Sequence, residues 1–79
     1  MTRSGFLRAM EEILGVPSRT LRETDSRDTI AQWSSLADVN LSAMIASQLG
    51  IEPDGEMIEA ETVGDLVGIL ETRGAFGSA

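Results

Sequence analysis

The stretch that decides the fold is Trp33-Ser34-Ser35-Leu36-Ala37-Asp38-Val39, which continues to Leu49-Gly50. Apolar side chains follow one another here at helical spacing, in the two stripes Leu41/Ile45/Leu49 and Leu36/Val39/Ala43. This spacing predicts a helix from about Ser35 to Leu49 that ends at Gly50. Two stripes on one helix indicate either central packing among other helices or one stripe that faces a partner.

Further helices are predicted on both sides of this stretch. The first predicted helix stops at Gly15, just before Val16-Pro17. Its apolar residues share one face: Phe6, Leu7, Met10, Ile13 and Leu14. The last begins after Thr62, which has Asp65 at capping-box spacing, and closes at Arg73-Gly74; a short helical turn over residues 56–60 precedes it. Gly64 and Gly68 share one face of the last helix and indicate a close approach to another helix.

Residues 16–34 form a long connection with little periodicity, and no segment of the chain alternates with period two. We therefore expect an all-α fold, a four-helix bundle of three main helices and one short helix with a long first loop. The 79 residues are enough for one domain, with a core over about residues 4–73 and a flexible tail over residues 74–79.

The composition leaves little chemistry for an enzyme. The sequence contains no His, Cys, Lys or Tyr. The usual general base, the thiol nucleophile, the Schiff-base amine and the zinc ligands of imidazole or thiolate type are therefore absent. We expect a protein that is not an enzyme and that holds no metal.

Charge is spread unevenly over the chain, whose net charge is −7. Five of the six arginines lie in the first 27 residues, whereas nine acids and the single base Arg73 follow from Asp28 onward. Such a surface repels phosphate backbones and anionic lipid, so we expect neither nucleic acid nor a membrane as a partner. No apolar run approaches the ~20 residues of a membrane span, and no signal peptide is recognisable, so a cytoplasmic location is expected.

Ser35 has two structural interpretations and one functional one. It is a favoured N-cap residue, with Asp38 completing a variant capping box, or else Ser34 is the cap and Ser35 points outward from the first turn. A hydrolase nucleophile would need His or Lys as its base, and the sequence has neither, so we do not expect one. The hydroxyl can instead accept a group that another enzyme transfers, because an acceptor needs exposure and a fixed backbone rather than activation.

In these residues the chain resembles an acyl or peptidyl carrier protein, over about residues 4–72. Trp33-Ser34-Ser35-Leu36 is similar to the family's Asp-Ser-Leu motif, and the helix order, length and acidity agree with it. The resemblance implies a phosphopantetheine arm on Ser35, which a phosphopantetheinyl transferase installs from coenzyme A. The thiol of this arm would hold acyl or aminoacyl groups as thioesters. The resemblance also implies an acyl- or aminoacyl-loading enzyme, downstream synthase or tailoring enzymes, a monomer, and a partner surface formed by Ser34, Leu36, Asp38, Val39 and Ala43.

The sequence departs from the family pattern at two places. Ser34 stands where the family has Asp, and the second helix carries only one acid, Asp38, while the negative charge lies over residues 52–61. These departures favour a discrete carrier of a specialised pathway, polyketide or nonribosomal-peptide-like, over fatty-acid biosynthesis. Two alternatives stay open: a helical protein-interaction module without a prosthetic group, and a degenerate carrier that is no longer modified.

Overall fold

Four α-helices and one π-helical segment make up the regular structure of residues 1–77. The computed structural model describes residues 1–77. Its elements in chain order are α1 (Arg3–Leu14), α2 (Ser35–Met44), the π-segment (Ile45–Leu49), α3 (Gly55–Ile58) and α4 (Val63–Thr72). These residues contain no strand beyond an isolated antiparallel bridge between Ser26 and Thr62. The prediction of an all-α protein is confirmed.

The helix ends follow the signals in the sequence. Gly15 and Gly50 adopt left-handed backbone conformations, with φ values of 70° and 66°, at the ends of α1 and the π-segment. Such φ values are strained for residues with a side chain, which is why glycine ends a helix so often. At the start of α4, the Thr62 hydroxyl accepts a hydrogen bond from the Asp65 backbone N–H at 3.0 Å. Both predicted stops and this predicted cap are confirmed.

One hydrophobic core unites the helices with the connections between them. All four α-helices, the π-segment, the first loop and the α3–α4 connection contribute buried apolar side chains. Its members are Phe6, Met10, Leu14, Leu21, Trp33, Ala37, Leu41, Ile45, Met57, Ala60, Val63, Leu66, Val67 and Leu70. The second predicted helix buries only one side, through Ala37, Leu41 and Ile45, so it is not packed centrally. The stripe of Leu36, Val39 and Ala43 lies on the surface.

The first loop is held against the helices by specific polar contacts. Glu11 is only 1% exposed, and its carboxylate accepts a hydrogen bond from the Leu21 backbone N–H at 2.9 Å. Burial acts to raise the pKa of Glu11, but the backbone N–H groups of residues 19–21 and the Arg8 guanidinium outweigh it and lower that pKa below 4.5. Glu11 therefore fixes the beginning of the loop on α1.

The later part of this loop pairs with the start of α4. The Val63 N–H donates to the Asp25 carbonyl at 2.9 Å, and the Gly64 N–H donates to the Glu23 carbonyl at 2.9 Å. These bonds satisfy N–H groups that the first turn of a helix leaves without partners. The close approach expected at Gly64 therefore exists, but its partner is the loop and not another helix, and nothing lies within 4 Å of a Cβ placed on Gly68.

The residues that follow α4 contact other parts of the molecule. Ala75 donates its N–H to the Leu70 carbonyl at 3.0 Å, and the ring centroid of Phe76 lies 5.6 Å from that of Phe6. The Gly77 N–H donates to the Met1 carbonyl at 3.0 Å. Phe76 is thus partly buried against the core; the flexible tail expected over residues 74–79 stays a prediction, and Ser78 and Ala79 lie outside the described residues.

None of the helices in residues 1–77 combines the length and the apolar character that crossing a membrane requires.

Candidate functional site

Ser35 is the first residue of α2 and is exposed to solvent. The N-cap is Ser34, whose backbone is extended with φ −108° and ψ −177° and whose side chain makes no capping hydrogen bond. The interpretation of Ser35 as the N-cap is therefore wrong, and the alternative with Ser34 as the cap is the observed arrangement. Ser35 stands at the exposed start of a fixed helix, as an acceptor hydroxyl requires.

Asp38 does not complete a capping box. Its backbone N–H already bonds the Ser34 carbonyl at 3.0 Å, so it lies one residue too far along the helix. One carboxylate oxygen accepts from Arg27 Nη1 at 2.8 Å, and the other accepts from Trp33 Nε1 at 3.1 Å. Both oxygens of this predicted recognition residue are thus engaged inside the molecule, and its side chain is only 22% exposed.

Arg27 joins the elements around the site. Its guanidinium lies 4.6 Å from the centre of the Trp33 ring, close enough for a cation–π interaction. Its Nη2 donates to the Ile58 carbonyl at 2.8 Å, and its Nε donates to the Ala60 carbonyl at 3.1 Å. These carbonyls lie at the end of α3, where the last carbonyl groups of a helix have no backbone N–H donor within the helix. Arg27 therefore fastens the end of α3 to the beginning of α2.

No local pattern in the sequence indicates the role of Arg27. It lies in a loop without periodicity, and it contacts Asp38 and Ile58, which are 11 and 31 positions away in the chain. The one hint in the sequence is that the only tryptophan and an arginine both lie in that loop, a pairing that often stacks.

Exposed apolar side chains surround Ser35. Leu36 is 70% exposed and Val39 is 65% exposed on α2, and Ile58 at the end of α3 is 49% exposed. A shallow groove beside Ser35 is lined by Asp38, Val39, Ser42 and Ile58. Of the predicted partner surface, Ser34, Leu36, Val39 and Ala43 are exposed, whereas Asp38 is turned to internal contacts. We call Leu36, Val39 and Ile58 the apolar patch.

Charge is distributed differently on α2 and on the residues that follow α3. From Ser35 to Leu49, Asp38 is the only residue with a charged side chain, and Arg27 neutralises it. Beyond Ile58, the exposed acids Glu59 and Glu61 take part in no ion pair within residues 1–77. The surface is therefore neutral on the α2 side and negative on the side of α3 and the α3–α4 connection.

The interior behind the site offers little space. A cavity of about 10 Å³ lies between α2, α3 and α4, and its lining includes Trp33, Leu41 and Met57. That volume corresponds to roughly one water-sized probe. Anything attached to Ser35 would lie along the surface in this conformation and not inside the core.

The site has an acceptor but no activating group. The chain contains no His, Lys or Cys that could take the proton of Ser35. Residues 1–77 hold no group of three His, Cys, Asp or Glu side chains placed to bind a metal ion.

Comparisons with protein-family models, with curated proteins and with solved structures found no match to this chain.

Proposed function

We propose that this protein is a non-catalytic carrier that holds acyl or aminoacyl intermediates on a phosphopantetheine arm attached to Ser35. The observation that supports it most is the position of Ser35, exposed at the first residue of α2 and next to the exposed Leu36 and Val39. A hydroxyl used by successive enzymes must be reachable, and a neighbouring apolar surface gives those enzymes something to bind.

The residues present fit the proposed group. A phosphodiester on the Ser35 hydroxyl would lie at the N-terminus of α2, where the helix dipole and the N–H groups of the first turn favour negative charge. The groove lined by Val39, Ser42 and Ile58 begins beside the serine and leaves room for an arm on the surface. When bound, the arm would supply the thiol that the chain lacks and would hold its cargo as a thioester.

The architecture is consistent with this role. We interpret α1, α2 with its π-segment, α3 and α4 as the four-helix bundle of a carrier, with three main helices and a short third one. The partners would be a phosphopantetheinyl transferase, an acyl- or aminoacyl-loading enzyme and downstream synthase or tailoring enzymes. The carrier would act as a cytoplasmic monomer in a polyketide or nonribosomal-peptide-like pathway.

Intact-mass measurement after incubation with coenzyme A and a broad-specificity phosphopantetheinyl transferase tests the proposal. We expect the wild type and Ser34→Ala to gain one arm, and Ser35→Ala to gain none. Attachment at Ser34, or no attachment to folded wild type by any of several active transferases, would refute modification at Ser35. Ser34→Asp tests the departure from the family motif, and a markedly faster loading of this variant would identify Ser34 as the feature that slows modification.

The exposed apolar patch also suits a second function, a helical interaction module with one fixed partner and no prosthetic group. Exposed apolar side chains of this kind can also form a permanent interface with one protein. Ser35→Asp separates the two functions, because aspartate at the start of a helix keeps the fold but cannot accept the arm. A module would keep its activity in this variant, whereas a carrier would lose it completely.

A further inference from the structure

We propose that Arg27 pairs with the phosphate of an arm attached to Ser35 and holds the beginning of that arm over the groove between α2 and α3. This inference rests on the proposed modification of Ser35 and adds a positioning residue to it. Arg27 comes from the first loop and not from the helix that carries the serine.

Arg27 lies at the edge of the groove beside Ser35. It binds two of the residues that line this groove, because Nη1 donates to the Asp38 carboxylate and Nη2 donates to the Ile58 carbonyl, each at 2.8 Å. Ser35 and Asp38 are three positions apart on α2, a spacing that places Cβ atoms about 5–6 Å apart. A phosphate on the serine oxygen would therefore lie near the carboxylate that Arg27 binds. Among the described residues that line this groove and the small cavity behind it, Arg27 is the only cation.

Two N–H groups of Arg27 make no hydrogen bond within residues 1–77. A guanidinium has five N–H donors, one on Nε and two on each terminal nitrogen. Nε, Nη1 and Nη2 each donate one bond, to Ala60, Asp38 and Ile58 respectively, so Nη1 and Nη2 keep one N–H each. The side chain is 28% exposed, so solvent reaches it. The planar fork of arginine suits a phosphate, whose oxygens can accept two parallel hydrogen bonds.

The charges around Ser35 favour this pairing. Without the arm, Asp38 is the only residue with a charged side chain from Ser35 to Leu49, and Arg27 balances it. A phosphodiester on Ser35 adds a second negative charge on the same face of the helix, one turn before Asp38. One guanidinium then faces two anions, and its attraction for both offsets the repulsion between them. The attached arm should therefore stabilise the fold more when Arg27 is present than when it is absent.

The first test compares the Tm of the full chain with and without the arm, loaded by a broad-specificity phosphopantetheinyl transferase. The change in Tm on attachment should be more positive in wild type than in Arg27→Gln by about 2–4 °C, as expected for one partly exposed ion pair in a domain of this size. Arg27→Lys keeps the charge and should retain most of this difference. Arg22→Gln removes an equal charge from an exposed position of the same loop and should match wild type. A purely structural role of Arg27 would lower both Tm values equally and leave their difference unchanged.

A second measurement needs no transferase. Phosphoserine incorporated at position 35 places a phosphate on the same oxygen, and ³¹P NMR follows its titration. Arg27 should lower the pKa of this phosphate, because a neighbouring cation favours the doubly charged form. The titration midpoint should therefore lie at higher pH in Arg27→Gln than in wild type, with Arg22→Gln again matching wild type.

The outcomes separate this inference from the proposed function. If Ser35 is loaded but the titration midpoint is the same in wild type and Arg27→Gln, Arg27 does not hold the phosphate, while the carrier function stands. If no transferase loads folded wild type but the midpoint depends on Arg27, the carrier function fails, while the pairing of Arg27 with a phosphate at this position stands. An unchanged midpoint overturns the inference whatever the transferase does.

Discussion

Removing charge from the Arg27–Asp38 pair should destabilise the fold far more than removing charge from an exposed pair. We consider a double-mutant cycle of Arg27→Gln and Asp38→Asn, which remove the two charges; Asp38→Asn keeps the shape of its side chain and Arg27→Gln shortens it. The cycle isolates the energy of the pair itself, because the bonds of Arg27 to the Ile58 and Ala60 carbonyls change equally in both of its arms.

The magnitude follows from the geometry of the pair. The N–O distance is 2.8 Å, and the two side chains are only 28% and 22% exposed, with Trp33 stacked on the guanidinium. Exposed ion pairs contribute about 0.2–1 kcal/mol, and hydrogen bonds to charged groups contribute about 1.5–3 kcal/mol. A largely shielded pair lies between these ranges, so we expect a coupling energy of about 1.5 kcal/mol.

Urea unfolding followed by far-UV circular dichroism supplies the four free energies of unfolding. Thermal unfolding should agree, since a change of about 1 kcal/mol shifts Tm by roughly 4–8 °C in a domain of this size. The control is the same cycle on Arg3 and Glu71, whose N–O distance is 3.2 Å and whose side chains are 45% and 50% exposed. A coupling energy for Arg27–Asp38 no larger than that of the control pair would refute the internal role of Asp38. Asp38 would then be available to contact a partner.

Three further expectations concern stability. Because the pKa of Glu11 is lowered in the folded state, its stabilising effect is complete above about pH 4.5 and is lost as the pH falls through the folded-state pKa. The difference in unfolding free energy between wild type and Glu11→Gln should therefore shrink between pH 7 and pH 3. A constant difference would contradict this role of Glu11. Gly64→Ala should destabilise the protein, because the new Cβ would lie 3.1 Å from the Glu23 carbonyl oxygen. The Cβ of Gly68→Ala meets nothing within 4 Å, so this variant should be more stable than wild type by about 0.5–1 kcal/mol. Equal effects of the two variants in urea unfolding would show that the close approach at Gly64 is unimportant. Phe76→Ala should cost about 1–2 kcal/mol through loss of its contact with Phe6, and an unchanged Tm would indicate that this contact contributes nothing.

The sequence predicts the helices well because their signals are local. Gly15 and Gly50 mark helix ends by a backbone conformation that glycine adopts easily, and apolar spacing marks the faces between them. The limits of this approach appear at Ser35 and Asp38. Their spacing fits a capping box, yet contacts with Arg27 and Trp33 hold the Asp38 carboxylate away from the backbone. Those contacts depend on how a loop without periodicity folds over the core, which no local pattern encodes.

The site was only partly predictable for the same reason. Ser35, Leu36 and Val39 share a helix, so their proximity could be derived from helical spacing. Ile58 joins them only because α3 packs beside α2, and the π-segment at residues 45–49 has no recognisable sequence signal. The single acid of α2 could be counted in the sequence, but its neutralisation by Arg27 could not.

The stacking of Arg27 on Trp33 gives the molecule its own optical reporter. Trp33 is the only tryptophan and the chain has no tyrosine, so emission excited at long wavelength comes from one ring two positions before Ser35. That ring is 4% exposed and lies against a cation, and both conditions influence its emission. A change in its intensity or colour therefore registers events at the start of α2, including attachment of a group to Ser35, without any added dye.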